Sequence, residues 1–327
     1  MIPFSVLDLA PIVESKDAGS ALANALDLAR HAERWGYKRF WMAEHHSMPG
    51  IASAATAVAL AYVGAGTSTI RIGAGGIMLP NHSPLVIAEQ FGTLESLYPG
   101  RVDLGIGRAP GTDQAAAAAM RRNLDSSVDR FPEDVVELID YFGAHEPGRR
   151  VRAIPGEGLE VPLWILGSSL YGAQLAAMLG LPFAFASHFA PSMMVDALRV
   201  YRERFQPSAQ LDRPYAMLGF NAFAADTDEE AQLLVTSLQQ AFVNLHTGNP
   251  SKLQPPVAGY AETLPINARA LLRQVLSCSA IGAPAKVKAE IEAFVERTGA
   301  DELMITSQIY DHQARLRSFE IVAGVMG

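Results

Sequence analysis

The chain has 327 residues, of which 49% are hydrophobic and 18% charged. This balance allows a large core and argues against a disordered chain. The net charge is −8 and there is no run of Lys or Arg, which argues against nucleic acid and membrane surfaces as partners. The only cysteine, Cys278, excludes an intrachain disulfide. Without a signal-peptide pattern or a bilayer-long apolar run, the sequence predicts a cytoplasmic protein.

Strand and helix patterns alternate at short spacing along the chain. The predicted strands are 2–9, 38–43, 70–79, 102–106, 161–166, 182–186, 215–224 and 302–306. The predicted helices are 21–35, 52–65, 84–97, 115–142 with an interruption near Pro132, 170–179, 192–205, 226–245, 284–298 and 310–325. About eight strand–helix units predict one α/β domain over residues 1–327, a TIM (β/α)8 barrel. Loop insertions are expected at its carboxyl-terminal face, including a lid over 247–265.

Arg108 follows the fourth strand, directly before a Pro110-Gly111 turn. Chemistry in α/β folds is placed at the carboxyl ends of strands. A planar guanidinium there suits a phosphate dianion, and an ion pair with a rim carboxylate is the alternative. The spacing Gly105-x-Gly107-x-x-x-Gly111 does not match a dinucleotide fingerprint.

The second strand ends in Glu44-His45-His46. Adjacent strand residues point to opposite faces, so both histidines cannot readily bind one ion, and no metal is predicted. The favoured interpretation places one histidine in the barrel mouth as an acid, a base or a hydrogen-bond donor, with Glu44 fixing its tautomer or its neighbours. Structural histidines at a strand end remain the alternative.

Two other strand ends carry unusual residues. The third strand contains Gly75-Gly76, which allows either a flat ring on the strand or tight packing inside a narrow barrel. The fifth strand ends in Ser168-Ser169, which allow either an anion site at the start of the next helix or ordinary N-capping. Combined with Arg108 from the neighbouring strand, the serines form the second half of a phosphate clamp.

These stretches resemble the bacterial luciferase-like, FMN-dependent monooxygenases over essentially the whole chain. The matching segments are 43–46, 75–84, 105–111, 166–171, 185–191 and 311–315. The resemblance implies a TIM-type barrel that binds FMN at its carboxyl face, and a homodimer. Two positions depart from the family: Gly107 replaces a cysteine near the flavin, and Ser168 replaces an acidic residue near the phosphate, so light emission is not implied.

The resemblance also assigns roles to residues. His45 matches a histidine implicated in luciferase catalysis, and Gly75-Gly76 falls where relatives have a non-prolyl cis peptide against the flavin ring. Arg108 matches the phosphate arginine. The remaining flavin-binding positions are Ser168, Ser169 and Gly172, in the second phosphate segment, and Ser187, beside the flavin.

The resulting hypothesis is a two-component monooxygenase with His45 and Glu44 as its catalytic pair. A separate NAD(P)H:flavin reductase would supply reduced FMN, O2 would add to it as a C4a-hydroperoxide, and a small organic substrate, an aldehyde among the candidates, would be oxygenated. The alternatives are a deazaflavin-dependent dehydrogenase on the same fold and a non-catalytic flavin-binding protein.

Overall fold

The computed structural model describes residues 2–108, 119–120, 130–145 and 147–325. The strands are β1 (Phe4–Asp8), β2 (Arg39–Met42), β3 (Arg71–Met78), β4 (Val102–Gly107), β5 (Leu163–Gly167), β6 (Phe183–Phe185), β7 (Ala216–Ala224), β8 (Ser279–Gly282) and β9 (Glu302–Thr306). The helices are α1 (Ala18–Arg34), α2 (Thr56–Ala65), α3 (Pro84–Leu97), α4 (Phe131–Phe142), α5 (Leu170–Leu179), α6 (Met194–Arg204), α7 (Asp228–Leu234), α8 (Thr236–His246), α9 (Tyr260–Thr263), α10 (Ile266–Val275), α11 (Pro284–Thr298) and α12 (His312–Gly324). None of these helices is long and apolar enough to cross a membrane.

Eight of the parallel strands close into a barrel. Strands β1 to β6 pair in sequence order, β6 pairs with β7, β7 with β9, and β9 with β1. The predicted TIM barrel is therefore confirmed, and its predicted eighth strand is β9. The short strand β8 pairs with the second half of β7; the sequence analysis missed both β8 and the preceding helix α10.

Other differences from the sequence prediction are local. The helix predicted over 226–245 is divided at Val235, whose backbone stays in the helical region (φ −64°, ψ −20°), so α7 and α8 follow each other without a loop. Within 247–265, the chain forms the short helix α9, and Leu253 makes a parallel bridge to Val13. Helix α4 confirms the end of the predicted 115–142 helix; most of its earlier part, and the Pro110-Gly111 turn, lie outside the described residues.

The amino-terminal end of the barrel is filled by buried charges. The Arg39 guanidinium donates to both Glu302 carboxylate oxygens, at 2.7 and 3.0 Å, and to Asp103 Oδ2 at 2.7 Å. Arg71 donates to the other Asp103 oxygen at 2.7 Å. Arg39, Glu302 and Asp103 are at most 4% exposed, so each charge depends on the others for compensation. This cluster closes the bottom of the barrel.

Above the charges, Trp41 fills the middle of the barrel. Its indole packs edge-on against Trp164, with ring centroids 5.3 Å apart, and its Nε1 donates to Asp103 Oδ2. A Cβ atom on Gly73 would lie 2.6 Å from Trp41 Nε1, and one on Gly75 would lie 3.0 Å from Trp41 Cε3. Glycine is thus required at both positions because a large ring occupies the barrel axis. A packed interior leaves the carboxyl-terminal mouth as the place for a ligand.

Candidate functional site

Glu44 is the buried centre of a hydrogen-bonded cluster at the mouth, beyond the end of β2. Its Oε1 accepts from His46 Nε2 at 2.6 Å and from His82 Nε2 at 2.7 Å, and its Oε2 accepts from the Met78 amide at 3.2 Å. Burial by itself would raise the pKa of Glu44, but the hydrogen bonds from His82 and His46 outweigh it and lower the pKa. The carboxylate is therefore ionised, and both imidazoles donate to it.

Among the described residues, Glu44 accepts hydrogen bonds from His46 and His82, and none joins it to His45. Neighbouring residues on an extended chain point in opposite directions, so Glu44 turns towards β3 and contacts His46 and His82 instead. The ligand atoms of this cluster lie within 4.8 Å of one another and form a donor set that a divalent metal could use. Their separations of 2.6 and 2.7 Å, however, match direct hydrogen bonds.

His45 follows β2 beyond its carboxyl end and is partly buried. Its Nδ1 is buried and has no hydrogen-bond partner among the described residues. Burial lowers the pKa of His45, and this effect outweighs the opposing effect of the Glu44 carboxylate. The imidazole is consequently neutral at pH 7, with one nitrogen that donates and one that accepts. It is thus suited to hold or accept a proton.

Ser187, predicted beside the flavin, is fully buried after β6, and its hydroxyl donates to the Gly219 carbonyl at 2.7 Å. This hydroxyl fastens the loop to β7 and is not presented to the mouth. The next residue, His188, lines the interior cavity below the mouth together with Gly75 and Leu166. The sequence analysis did not include His188 in the site, although the polar pair Ser187-His188 at a strand end was the signal that could have identified it.

The peptide bond between Gly75 and Gly76 is cis, as the resemblance implies. A Cβ atom on Gly76 would lie 2.8 Å from the Gly105 carbonyl oxygen, and one on Gly75 would lie 2.9 Å from Leu7 Cδ1. Packing inside the barrel therefore suffices to explain these glycines. The cavity beneath Gly75 measures about 10 Å³, no more than a single water occupies, so a flat ring does not fit inside the barrel at this point.

Arg108 directly follows β4 and is partly buried at the mouth. Its guanidinium carbon lies 4.1 Å from the centroid of the Tyr171 ring, in the first turn of α5. No ion pair joins Arg108 to a carboxylate within the described part of the chain. A cation held on an aromatic face beside a helix N-terminus is available to an anion.

Ser168 and Ser169 lie at the start of α5. Strands β4 and β5 pair with Gly107 opposite Leu166, which brings the residues that follow each strand to one edge of the barrel. Ser168 is exposed, and Ser169 occupies the N-cap position without a capping hydrogen bond from its side chain. Ordinary capping therefore does not occupy the Ser169 hydroxyl. Gly172 is buried, and a Cβ atom added to it would lie 3.6 Å from the Gly167 Cα. The absence of a side chain at Gly172 lets α5 pack closely on β5.

The chain matches the family described as luciferase-like monooxygenase over residues 2–302. It is 55% identical over 324 residues to a luciferase-like monooxygenase of Escherichia coli strain K12, an alignment that covers 99% of this chain and 97% of that protein. The crystal structure of apo-MsnO8 is similar, with a TM-score of 0.88, 33% identity, and coverage of 100% and 98% of the two chains.

A third comparison concerns the fold alone. The oxygenating constituent of 3,6-diketocamphane monooxygenase from Pseudomonas putida, a type II Baeyer-Villiger monooxygenase solved in complex with FMN, is 19% identical, with a TM-score of 0.71 and coverage of 99% and 97%. On the evidence of the family match and the close relatives, the chain belongs to the luciferase-like monooxygenase family.

Proposed function

We propose that this protein is a monooxygenase that uses O2 and reduced FMN, supplied by a separate NAD(P)H:flavin reductase, to oxygenate a small organic substrate. The observation that carries the proposal is Arg108, a cation without a carboxylate partner among the described residues, stacked 4.1 Å from Tyr171 beside the amino end of α5. Its position suits the phosphate of FMN, and the fold relative from Pseudomonas putida contains FMN.

The residues at the mouth fit a flavin mononucleotide. Arg108 would bind the phosphate, and the hydroxyls of Ser168 and Ser169, with the first amides of α5, would add further donors to it. The ring would lie against the backbone of Gly75-Gly76. The buried, unpartnered Nδ1 of His45 is an orphaned polar atom, which a ligand in the mouth would satisfy.

Reduced FMN, when bound, supplies the electrons that activate O2. The chain's own residues would orient the flavin, and the packed barrel below the mouth would exclude water on that side of it. His45, neutral because burial lowers its pKa, would hold or accept a proton at the reacting atoms. Glu44 would act at one remove, because it positions His46 and His82 rather than His45.

The test is oxygen transfer by the purified protein with NADH, FMN and an NADH:FMN reductase under ¹⁸O2. We expect one ¹⁸O atom in a metabolite product, with mass spectrometry as the readout, and loss of that product in His45→Ala with flavin binding retained. Tight binding and turnover of a reduced deazaflavin without O2 would indicate the dehydrogenase instead. Release of peroxide alone, across a wide panel of substrates, would indicate a flavin-binding protein.

We also propose a homodimer formed through α2. The exposed side chains Val58 (72%) and Tyr62 (48%) border a surface groove of about 320 Å³ between α1 and α2. The lining alanines let a second helix approach closely. Sedimentation velocity should give a dimer that Val58→Lys converts to a monomer, and a wild-type monomer at micromolar concentration would contradict the proposal.

A further inference from the structure

Glu44, His46 and His82 form a compact set of potential metal ligands. Among the described residues, this is the one set of at least three histidine, cysteine or acidic side chains whose ligand atoms all lie within 4.8 Å of one another. Residues two positions apart in an extended segment lie on the same side, and the 2.6 Å contact between Glu44 and His46 shows that these two side chains meet. His82 approaches from the other strand, directly after the short 3₁₀ helix Leu79–Asn81 that follows β3. An ion bound here would not require His45 and His46 to share it.

Both imidazoles of this set direct a nitrogen at the same carboxylate oxygen. His46 Nε2 and His82 Nε2 lie 2.6 and 2.7 Å from Glu44 Oε1. In a tetrahedral zinc site with bonds of about 2.0–2.1 Å, the ligand atoms lie about 3.3 Å apart. The carboxylate oxygen would therefore have to withdraw from each nitrogen by only about 0.6–0.7 Å, which a small rotation about the side-chain bonds of Glu44 provides. The hydrogen bonds and a metal site are thus alternative uses of the same three atoms.

The surroundings of the carboxylate suit a cation. Glu44 is 1% exposed, and its other oxygen, Oε2, accepts a hydrogen bond from the Met78 amide at 3.2 Å. Outer hydrogen bonds of this kind orient a carboxylate that binds a metal. The side chains of His46 and His82 are 21% and 26% exposed, so an ion can enter from solvent and water can fill a remaining coordination position.

We propose that Glu44, His46 and His82 bind one zinc ion through Glu44 Oε1 and the two Nε2 atoms. Two imidazoles and one carboxylate are ligand types that zinc uses, whereas Mg²⁺ and Ca²⁺ prefer sites made of oxygen atoms. Each Nε2 offers its lone pair to the ion once the ring proton has left that nitrogen. The ion connects the residues on both sides of His45 with the segment that follows β3. Neither a flavin nor turnover is needed for it to bind.

Metal titration of the full-length, chelator-treated protein without flavin tests the proposal. We expect isothermal titration calorimetry with Zn²⁺ to give one ion per chain, and a molar excess of Mg²⁺ to leave that binding unchanged. Co²⁺, which replaces zinc and is visible by absorption, should give the intense bands of a four- or five-coordinate site. Zn²⁺ should also raise the melting temperature, because it binds the folded chain in preference to the unfolded one. A stoichiometry below one ion per chain, or Co²⁺ bands as weak as those of the aqueous ion, would overturn the proposal.

Two variants identify the atoms that hold the ion. Glu44→Gln keeps an acceptor for both imidazoles but removes the charge, and His82→Phe removes one ligand; each should weaken Zn²⁺ binding about 100-fold or more, since loss of an outer hydrogen-bond partner alone costs about 10- to 100-fold. The control is His145→Gln, because His145 is an exposed histidine 3.4 Å from the Glu157 carboxylate; it should bind Zn²⁺ like wild type. The His82 side chain is partly exposed, so His82→Phe keeps the test available where Glu44→Gln does not fold. Wild-type Zn²⁺ affinity in His82→Phe, or loss of binding in His145→Gln, would refute the assignment.

Discussion

A comparison of two ligands that differ only by a phosphate gives the sharpest test of Arg108. Arg108→Ala removes the stacking on Tyr171, which is worth about 0.5–1 kcal/mol of folding free energy. It breaks no ion pair among the described residues. A hydrogen bond from a cation to phosphate is worth about 1.5–3 kcal/mol. Affinity for reduced FMN should therefore fall about 10- to 150-fold, while affinity for reduced riboflavin should not change.

The assay is an anaerobic titration of the protein with each dithionite-reduced flavin, in which the quenching of tryptophan fluorescence reports binding. Arg204→Ala, on an exposed arginine at the end of α6, is the matched control and should bind both flavins like wild type. Arg108→Lys should retain part of the FMN affinity, because it keeps the charge but loses the two-pronged geometry. If Arg108→Ala weakened both flavins equally, or neither, the phosphate assignment would fail.

Three further predictions follow from buried groups. The pKa of His188 lies near 4 in the folded protein, so between pH 4 and 6.5 this imidazole is protonated in the unfolded chain and neutral in the folded one. The free energy of unfolding should therefore rise by about 3 kcal/mol from pH 4 to 6.5 through this group, and urea denaturation of His188→Phe should lack that increase. Arg39→Met removes the buried cation that Glu302 and Asp103 share and leaves Asp103 with Arg71 and Glu302 with the more exposed Lys38, so it should cost about 3–5 kcal/mol in urea denaturation; a cost below about 1 kcal/mol would refute the dependence of those charges on Arg39. Gly219→Ala should force the His188 ring aside and destabilise the protein by about 1–3 kcal/mol, with an unchanged melting temperature as the contrary result.

The barrel could be predicted from local patterns because each strand and helix carries its own signal. The helices 84–97, 170–179 and 284–298 and the strand 302–306 have in the structure the same bounds as in the sequence prediction. Each is delimited by nearby punctuation, such as Pro84 and Pro284 at helix starts. Strand β8 was not predicted because its four residues, Ser279–Gly282, are too few to show a clear strand pattern. It is a strand because it pairs with β7, and a local sequence pattern does not show that pairing.

Side-chain direction at the mouth was harder to predict. The sequence put Glu44, His45 and His46 next to one another, but it could not say that Glu44 turns to His82, a residue 38 positions later. The family resemblance pointed to Ser187 and not to His188, and the sequence could not show that the Ser187 hydroxyl donates to the Gly219 carbonyl on β7. Whether a polar atom has a hydrogen-bond partner depends on residues that are distant from it in the sequence.

The sequence by itself determined the eight-stranded barrel, the family and the strand ends that carry polar residues, because periodicity, turn residues and motifs are local properties of the chain. Only the tertiary structure decided that Arg108 rests on Tyr171, that Gly73 and Gly75 make room for Trp41, and that the imidazoles of His45 and His188 retain unpartnered nitrogens. Those contacts depend on which groups from distant segments of the chain lie next to one another, and only the folded chain brings these groups together.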